Sequence, residues 1–237
     1  MISPSSPRGE RAHIIFRFRI RLHIDDKPTL DYIKAVLGVG VVKIERDSCI
    51  YIVSSISELT DIIIPIFKNY PLLSTKTFDF NDFYRAILIK LNHLGTSLSK
   101  SSYDEIVRIK SGMNSQRTTY NDLLLTSLAY NNNYLNAYWL LGFIEGEGTF
   151  GIKNNVPYFQ IAQHNRNNIL MLAVSLYLQK IIASPSNLNS PILNMSTNKT
   201  TDVLSLVIVN IDTLYDHILP FFSTLCFYTR KQIDFKY

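Results

Sequence analysis

The sequence predicts an α+β fold built from a duplicated unit, and three observations lead there. The block IIIPIFKNYPLLSTKTFDF (Ile62–Phe80) returns as HILPFFSTLCFYTRKQIDF (His217–Phe235), with Pro65 on Pro220, Phe67 on Phe222, Lys76 on Lys231, Asp79 on Asp234 and Phe80 on Phe235, each pair 155 residues apart. A second pair, FRIRLH (Phe18–His23) and FQIAQH (Phe159–His164), stands 141 residues apart. Each member of that pair is followed by a helix-like stretch, TLDYIKAVLG or NILMLAVSLYLQKI. Two matches in the same order mark a repeated module. The second copy carries about 14 extra residues, expected in the polar loop ASPSNLNSPILNMSTNKTT.

Each element of the unit has a local reason. HIIFRFRIRL alternates strictly, which predicts one strand with Phe16, Phe18, Ile20 and Leu22 on one face and Arg17, Arg19 and Arg21 on the other. TLDYIKAVLGVG reads as an amphipathic helix closed by glycine. VVKIE and CIYIVS are short strands joined by a turn at RDS. ELTDIIIPIF reads as a helix that Pro65 breaks. DFNDFYRAILIKLNHL is a further helix, and SYDEIVRIKSGM a short one within a polar connector. In the second copy Asn133 is the expected N-cap of a helix running from Tyr134 to Glu147.

The domain reading is therefore a first repeat at 1–94, a linker at 95–132 and a second repeat at 133–237. Each copy audits the other. Shifted back by 141, Glu147 falls on Ser6, where MISPSSPRGE offers no helix. The helix after Asp82 has no counterpart, because Tyr237 corresponds to Asp82. The expectation is a first unit without its first helix and a second unit without its last.

Composition narrows the class. Among 237 residues, 46% are hydrophobic and 18% charged, which suits a globular protein with a real core. The net charge of +5 and the pI near 9.1 fit an anionic partner such as nucleic acid, and equally a plain basic surface. Cys49 and Cys226 have neither metal nor disulfide spacing and are expected to be free, buried thiols. No apolar run approaches the ~18 residues of a membrane span. The N-terminus has no apolar core of a secretory signal. Abundant Ile, Asn, Tyr, Phe and Lys have A/T-rich codons, which hints at an A/T-rich genome such as an organelle's; the expected location is the mitochondrion.

The stretch WLLGFIEGEGTF (Trp139–Phe150) carries the chemistry. Gly142 and Gly146 are four apart on one helix face, where a second backbone can approach closely. An ordinary core helix with glycine caps at Gly146 and Gly148 is the plainer reading. Glu145 and Glu147 point roughly 200° apart, so they cannot form one acid–base pair. A carboxylate at a helix C-terminus opposes the dipole and calls for a cation, and hard divalent ions such as Mg²⁺ take such oxygens. Arg17, Arg19 and Arg21 form a stripe suited to phosphates and guanine edges. In the second copy the same face reads Tyr158, Gln160, Ala162 and His164. His23 and His164 recur and suit either DNA contact or a structural role.

LLGFIEGEG (Leu140–Gly148), with the flanking GTFGI, the QIAQHNRN strand end, the duplicated IPIF…K…DF and LPFF…K…DF blocks and the repeat itself, resembles the LAGLIDADG homing endonucleases and group I intron maturases, in their two-copy, monomeric branch. The resemblance covers nearly the whole chain. It implies two pseudo-symmetric αββαββα units and Mg²⁺-dependent, site-specific cleavage of double-stranded DNA at an intron insertion site. It places the metal-binding carboxylate on Glu147, a metal-facing carbonyl on Gly146, a structural acid on Glu145, basic residues near the scissile phosphates on Lys76 and Lys231, and a water-orienting residue on Gln163. Leu22, the counterpart of Gln163, departs from the pattern. The first motif is missing or encoded upstream, and Glu10 has no helix to replace its carboxylate. Two alternatives remain at this stage: a maturase acting on group I intron RNA, and a degenerate nucleic-acid binder without catalysis.

Overall fold

Period-two alternation builds the first sheet. The computed structural model describes residues 1–5, 13–182 and 193–236. The chain divides into two compact units, Met1–Tyr120 and Asn121–Tyr237. The first opens with β1 (Ile2–Ser5) antiparallel to β2 (His13–Phe16), followed directly by β3 (Phe18–His23). The expected single strand is thus interrupted at Arg17. Even there strand pairing continues: the Met1 amine donates to the Arg17 carbonyl at 2.6 Å, and the Arg17 N–H donates back at 2.9 Å.

β3 pairs with β5 (Ser48–Val53), which pairs with β4 (Val41–Glu45). Helix α1 (Lys27–Leu37) stops at Gly38, whose φ of 71° is the left-handed cap glycine tolerates. Phe16, Tyr51 and Val53 are buried in one apolar cluster with Leu30, Leu59 and Ile63. Burying each such side chain contributes about 1.5–3 kcal/mol. Gly40 is needed for another reason: a Cβ there would meet the Ile52 carbonyl at 2.7 Å.

Pro65 does not break its helix. Helix α2 (Ile56–Glu58) passes through a wide turn of π type, Leu59–Ile63, into α3 (Ile64–Asn69). The Ile64 N–H reaches the Leu59 carbonyl five residues back. Proline lacks a donor and crowds the preceding turn. Here it enters at the start of α3, after that turn has widened, so the helical path continues. The second unit repeats the device at Leu214–Ile218, between α9 (Ile211–Thr213) and α10 (Leu219–Ser223).

The stretch read as a linker contains packed helices. After α4 (Lys76–Leu91) comes α5 (Lys100–Ser111), whose Ile106 and Ile109 join the first unit's core with Met113. Helix α6 (Asp122–Ala129) packs on α8 (Asn168–Ile182) of the second unit. Helix α7 (Ala137–Glu147) starts later than expected. Its N-cap is Asn136, not Asn133, with Oδ1 accepting the Trp139 N–H at 3.0 Å.

Helix α7 runs without a loop into β6 (Gly148–Lys153), the edge of a four-stranded antiparallel sheet ordered β6-β7-β9-β8. Its other strands are β7 (Val156–His164), β8 (Asn194–Asn198) and β9 (Val203–Ile208). Asn154 and Asn155, with φ of 52° and 62°, close the β6–β7 hairpin in two residues. The final helix, α11 (Lys231–Lys236), has six residues where α4 has sixteen. Part of the second copy's insertion is the β8–β9 turn, four residues from Lys199 to Asp202 against two in the β4–β5 turn. The rest lies in α8, four residues longer than α1, and between α8 and β8, where residues 183–192 lie outside the described ones.

Strand register corrects one alignment. Ile2 stands opposite Phe16 as Ile152 stands opposite Pro157, so β1 is the counterpart of β6. Residues 6–12 join the first hairpin where two asparagines join the second. The position matching Glu147 is therefore ahead of Met1, not at Ser6. Ser6 and Glu10 lie outside the described residues. The first element described in the first unit is the strand β1.

The thiols differ. Cys49 is fully buried with Sγ 3.1 Å from the His23 carbonyl, and burial pushes its pKa up. Cys226 is exposed, contrary to the expectation of two buried thiols.

Candidate nucleic-acid interface and motif-helix carboxylate

Register places the first unit's arginines on one sheet face, beside Lys43 and the apolar Val41, Ile50 and Ile52. Arg19 lies across from Ile52 and then Val41; Arg21 lies across from Ile50 and then Lys43. The opposite face carries Ile20, Tyr51 and Val42 toward the core. Arg17, Arg19 and Arg21 thus share a face with Lys43. Arg21 is held by Glu45 at 2.5 Å, an exposed pair worth little in water. All three arginines line a cavity of about 650 Å³, with Lys76 and Lys110.

In the second unit the equivalent face is mainly polar, with Lys153 opposite Val156 at the hairpin end. Tyr158, Gln160, Ala162 and His164 alternate with the buried Phe159 and Ile161. Gln160 Nε2 donates to Ser205 Oγ at 3.3 Å. Neighbouring positions on this face are Thr149, Ser205 and Ser196. Such a surface offers hydrogen bonds with little charge.

His23 and His164 have a structural task. Each is the N-cap of a short 3₁₀ turn, with Nδ1 accepting the N–H two residues on, from Asp25 at 3.3 Å and from Arg166 at 3.2 Å. Each also faces a carboxylate, Asp25 at 3.1 Å and Asp202 at 3.5 Å. Gln163 shares the core-side register of Phe159 and Ile161, and its Oε1 accepts from Asn167 Nδ2 at 2.7 Å. That contact orients the amide along the strand end, and no hydrogen bond joins it to Glu147 or Lys231 among the described residues.

Helix α7 separates its two acids. Glu145 accepts hydrogen bonds from the Tyr228 N–H, from the Thr229 N–H at 3.3 Å and from the Thr229 hydroxyl. It thereby pins the loop that leads into α11. Glu147 is exposed, with no hydrogen bond or ion pair among the described residues. Gly142 and Gly146 are exposed too, and a Cβ at either would meet nothing within 4 Å. Gly148 is the glycine that packing requires: a Cβ there would meet Ile144 Cγ2 at 2.6 Å.

Lys76 and Lys231 begin α4 and α11. Lys76 Nζ donates to Asp79 Oδ2 and Asn114 Oδ1, both at 2.9 Å. Asp79 also takes the Asn114 N–H at 2.7 Å and lies near Arg117. The Asn114 and Arg117 partners come from outside the repeated motifs and have no local sequence signal. Lys231 has no such partners among the described residues. No group of three or more His, Cys, Asp or Glu that could hold a metal occurs among the described residues. The available hard-oxygen set at α7 is the Glu147 carboxylate with the Gly146 carbonyl. Donors of this kind suit a hard divalent ion that keeps several waters.

The family model described as LAGLIDADG endonuclease matches residues 4–87 and 140–237. The chain belongs to the LAGLIDADG endonuclease family. Its fold is that of I-SmaMI solved bound to an uncleaved DNA target in the presence of calcium ions: TM-score 0.80, 21% identity, covering 100% of this chain and 83% of that one. I-GzeII in complex with its DNA target gives TM-score 0.80 at 23% identity, over 82% of that chain. Among curated proteins, the chain is 29% identical over 242 residues to the uncharacterized mitochondrial protein RF1 of Saccharomyces cerevisiae, covering 96% of this chain and 49% of that protein. It is 28% identical over 230 residues to the probable intron-encoded endonuclease 3 of Neurospora crassa, covering 91% and 41%. The chain thus spans about half the length of the curated relatives it matches.

Proposed function

We propose that this LAGLIDADG protein contributes to site-specific cleavage of double-stranded DNA at an intron insertion site, in mitochondria and as a single chain. One observation carries the reading: Glu147 is an unengaged carboxylate at the tip of the motif helix, one residue ahead of the edge strand of a sheet with a polar outer face. Glu147, with the Gly146 carbonyl, would hold Mg²⁺, which stabilises charge developing on a scissile phosphate. Lys231, in the same unit, supplies positive charge near that phosphate, and Lys76 holds the matching place in the first unit. Gln163, fixed by Asn167, orients a water. The Gly142–Gly146 face receives a second motif helix. Arg17, Arg19 and Arg21 hold backbone phosphates, while Tyr158, Gln160 and His164 meet base edges in the major groove.

The relatives named as intron-encoded endonucleases and the DNA-bound structures of the same fold support this reading. The test is an assay on DNA carrying the intronless junction, with Mg²⁺ and with Ca²⁺. Cutting that needs Mg²⁺ and disappears in Glu147→Gln, with binding retained, is the expected result. Cutting indifferent to Glu147→Gln would remove the carboxylate from the mechanism. Replacing the three arginines by glutamine is expected to flatten the dependence of log K on log salt by about 0.9 per lost phosphate contact.

A further inference from the structure

The two units differ in one place that their repeat makes legible. In the second, Phe150 of β6 lies among four rings: Phe159 at 5.0 Å between centroids, Phe235 at 5.4 Å, Phe227 at 5.9 Å and Phe222 at 6.2 Å. The matching positions in the first unit are Phe18, Phe80, Leu72 and Phe67. All four line the 650 Å³ cavity. Their mutual packing is already in place, with Phe18–Phe67 and Phe67–Phe80 both at 5.5 Å, against 5.9 and 6.3 Å for the matching pairs in the second unit. Phe159 and Phe222 are fully buried, while Phe18 and Phe67 are only half-buried.

Register says what would cover them. Met1 exchanges both backbone hydrogen bonds with Arg17, as a strand pair does, in the place Gly151 holds opposite Tyr158. The next position along β1 falls opposite Phe18, as Phe150 falls opposite Phe159. We propose that this cavity is a socket for an aromatic side chain on a polypeptide segment joined to the Met1 nitrogen and continuing β1 along the free edge of β3. The segment it fits resembles Gly148–Phe150, and curated relatives about twice as long have residues to spare for one. Electrostatics agrees. Burial, then Arg19, Lys76 and Arg17, pull the Met1 ammonium down to about 6, with Asp79 opposing. A peptide nitrogen at that point makes the same strand bond without bringing a positive charge among cations. The inference does not depend on what the protein acts on.

The test compares the chain as it stands with two versions extended ahead of Met1 by Gly-Glu-Gly-Thr-Phe or Gly-Glu-Gly-Thr-Ala. The aromatic version is expected to melt about 4–8 °C higher than the alanine version. A third extension ending in Trp reports the socket directly, by blue-shifted emission beyond that of Trp139, the chain's own tryptophan. Equal melting of the Phe and Ala versions overturns the proposal. So does a Phe gain accompanied by solvent-like Trp emission, because the ring then acts from elsewhere.

Discussion

Lys76 and Lys231 open equivalent helices with the same local contact: each backbone N–H points at a hydroxyl two residues earlier, Ser74 or Thr229, at 3.3 Å. Among the described residues only Lys76 of the two has its ammonium engaged, by Asp79 and Asn114. Asp79 is the hub, since it also accepts from the Asn114 backbone and approaches Arg117. Asp79→Asn is expected to cost the first unit about 2–3 kcal/mol. Asp234→Asn, at the exposed counterpart, should stay within about 0.5 kcal/mol. Urea titration of both variants measures the contrast, and equal losses would mean that the hub holds nothing.

The two acids of α7 should come apart in the same way. Glu145→Gln weakens the charge-assisted bonds to Tyr228 and Thr229 and is expected to lower stability by about 1.5–3 kcal/mol. Glu147→Gln should leave stability within about 0.5 kcal/mol while abolishing Mg²⁺-dependent cutting. Thermal unfolding and the cleavage assay, run on the same preparations, separate an anchoring acid from a reacting one.

The motif glycines divide similarly. Gly148→Ala pushes a methyl into Ile144 and should destabilise by about 1–3 kcal/mol. Gly142→Ala meets open space and should stabilise the chain as it stands by about 0.5–1 kcal/mol through helix propensity. A large loss on Gly142→Ala would mean that this face is already packed.

Stability should also rise between pH 6 and pH 8 because of the Met1 amine. Its ordinary value is 8.0 and the folded value about 6. Between the two the unfolded chain binds more protons, so raising the pH favours the folded state, and the effect levels off above 8. Nα-acetylation removes it. The melting difference between acetylated and free chains should be largest below pH 6 and vanish above pH 8. The amplitude is small because Met1 is 49% exposed. A pH-independent difference would place the amine in water.

Much of this architecture is visible before any coordinates. The 155-residue spacing survives from the cap at Ser55 or Asn210, through both π turns, to the first residues of α4 and α11. Both turns in that block carry buried residues, Leu59 and Ile63 or Ile218, which an insertion would rotate out of place. The hairpin before it was illegible for the opposite reason. Seven residues join β1 to β2 and two join β6 to β7, and a constant offset cannot follow loops of different length. The N-cap at Asn136 was hidden among Asn131, Asn132 and Asn133, any of which satisfies the composition rule. Pro65 was misread because a proline in a helical pattern normally ends it, and a widened turn has no residue signature of its own. The ties of Lys76 to Asn114 and of Glu145 to Thr229 join residues 38 and 84 positions apart, which no local pattern reports.

The constancy of that block has a practical side. Ile56–Phe80 and Ile211–Phe235 are the same length, begin at the same kind of cap and reach a lysine at the same position. They behave as spare parts cut to one gauge. A chimera carrying either block twice keeps every backbone junction in step, so each unit's particular chemistry can be exchanged by transplantation rather than by redesign.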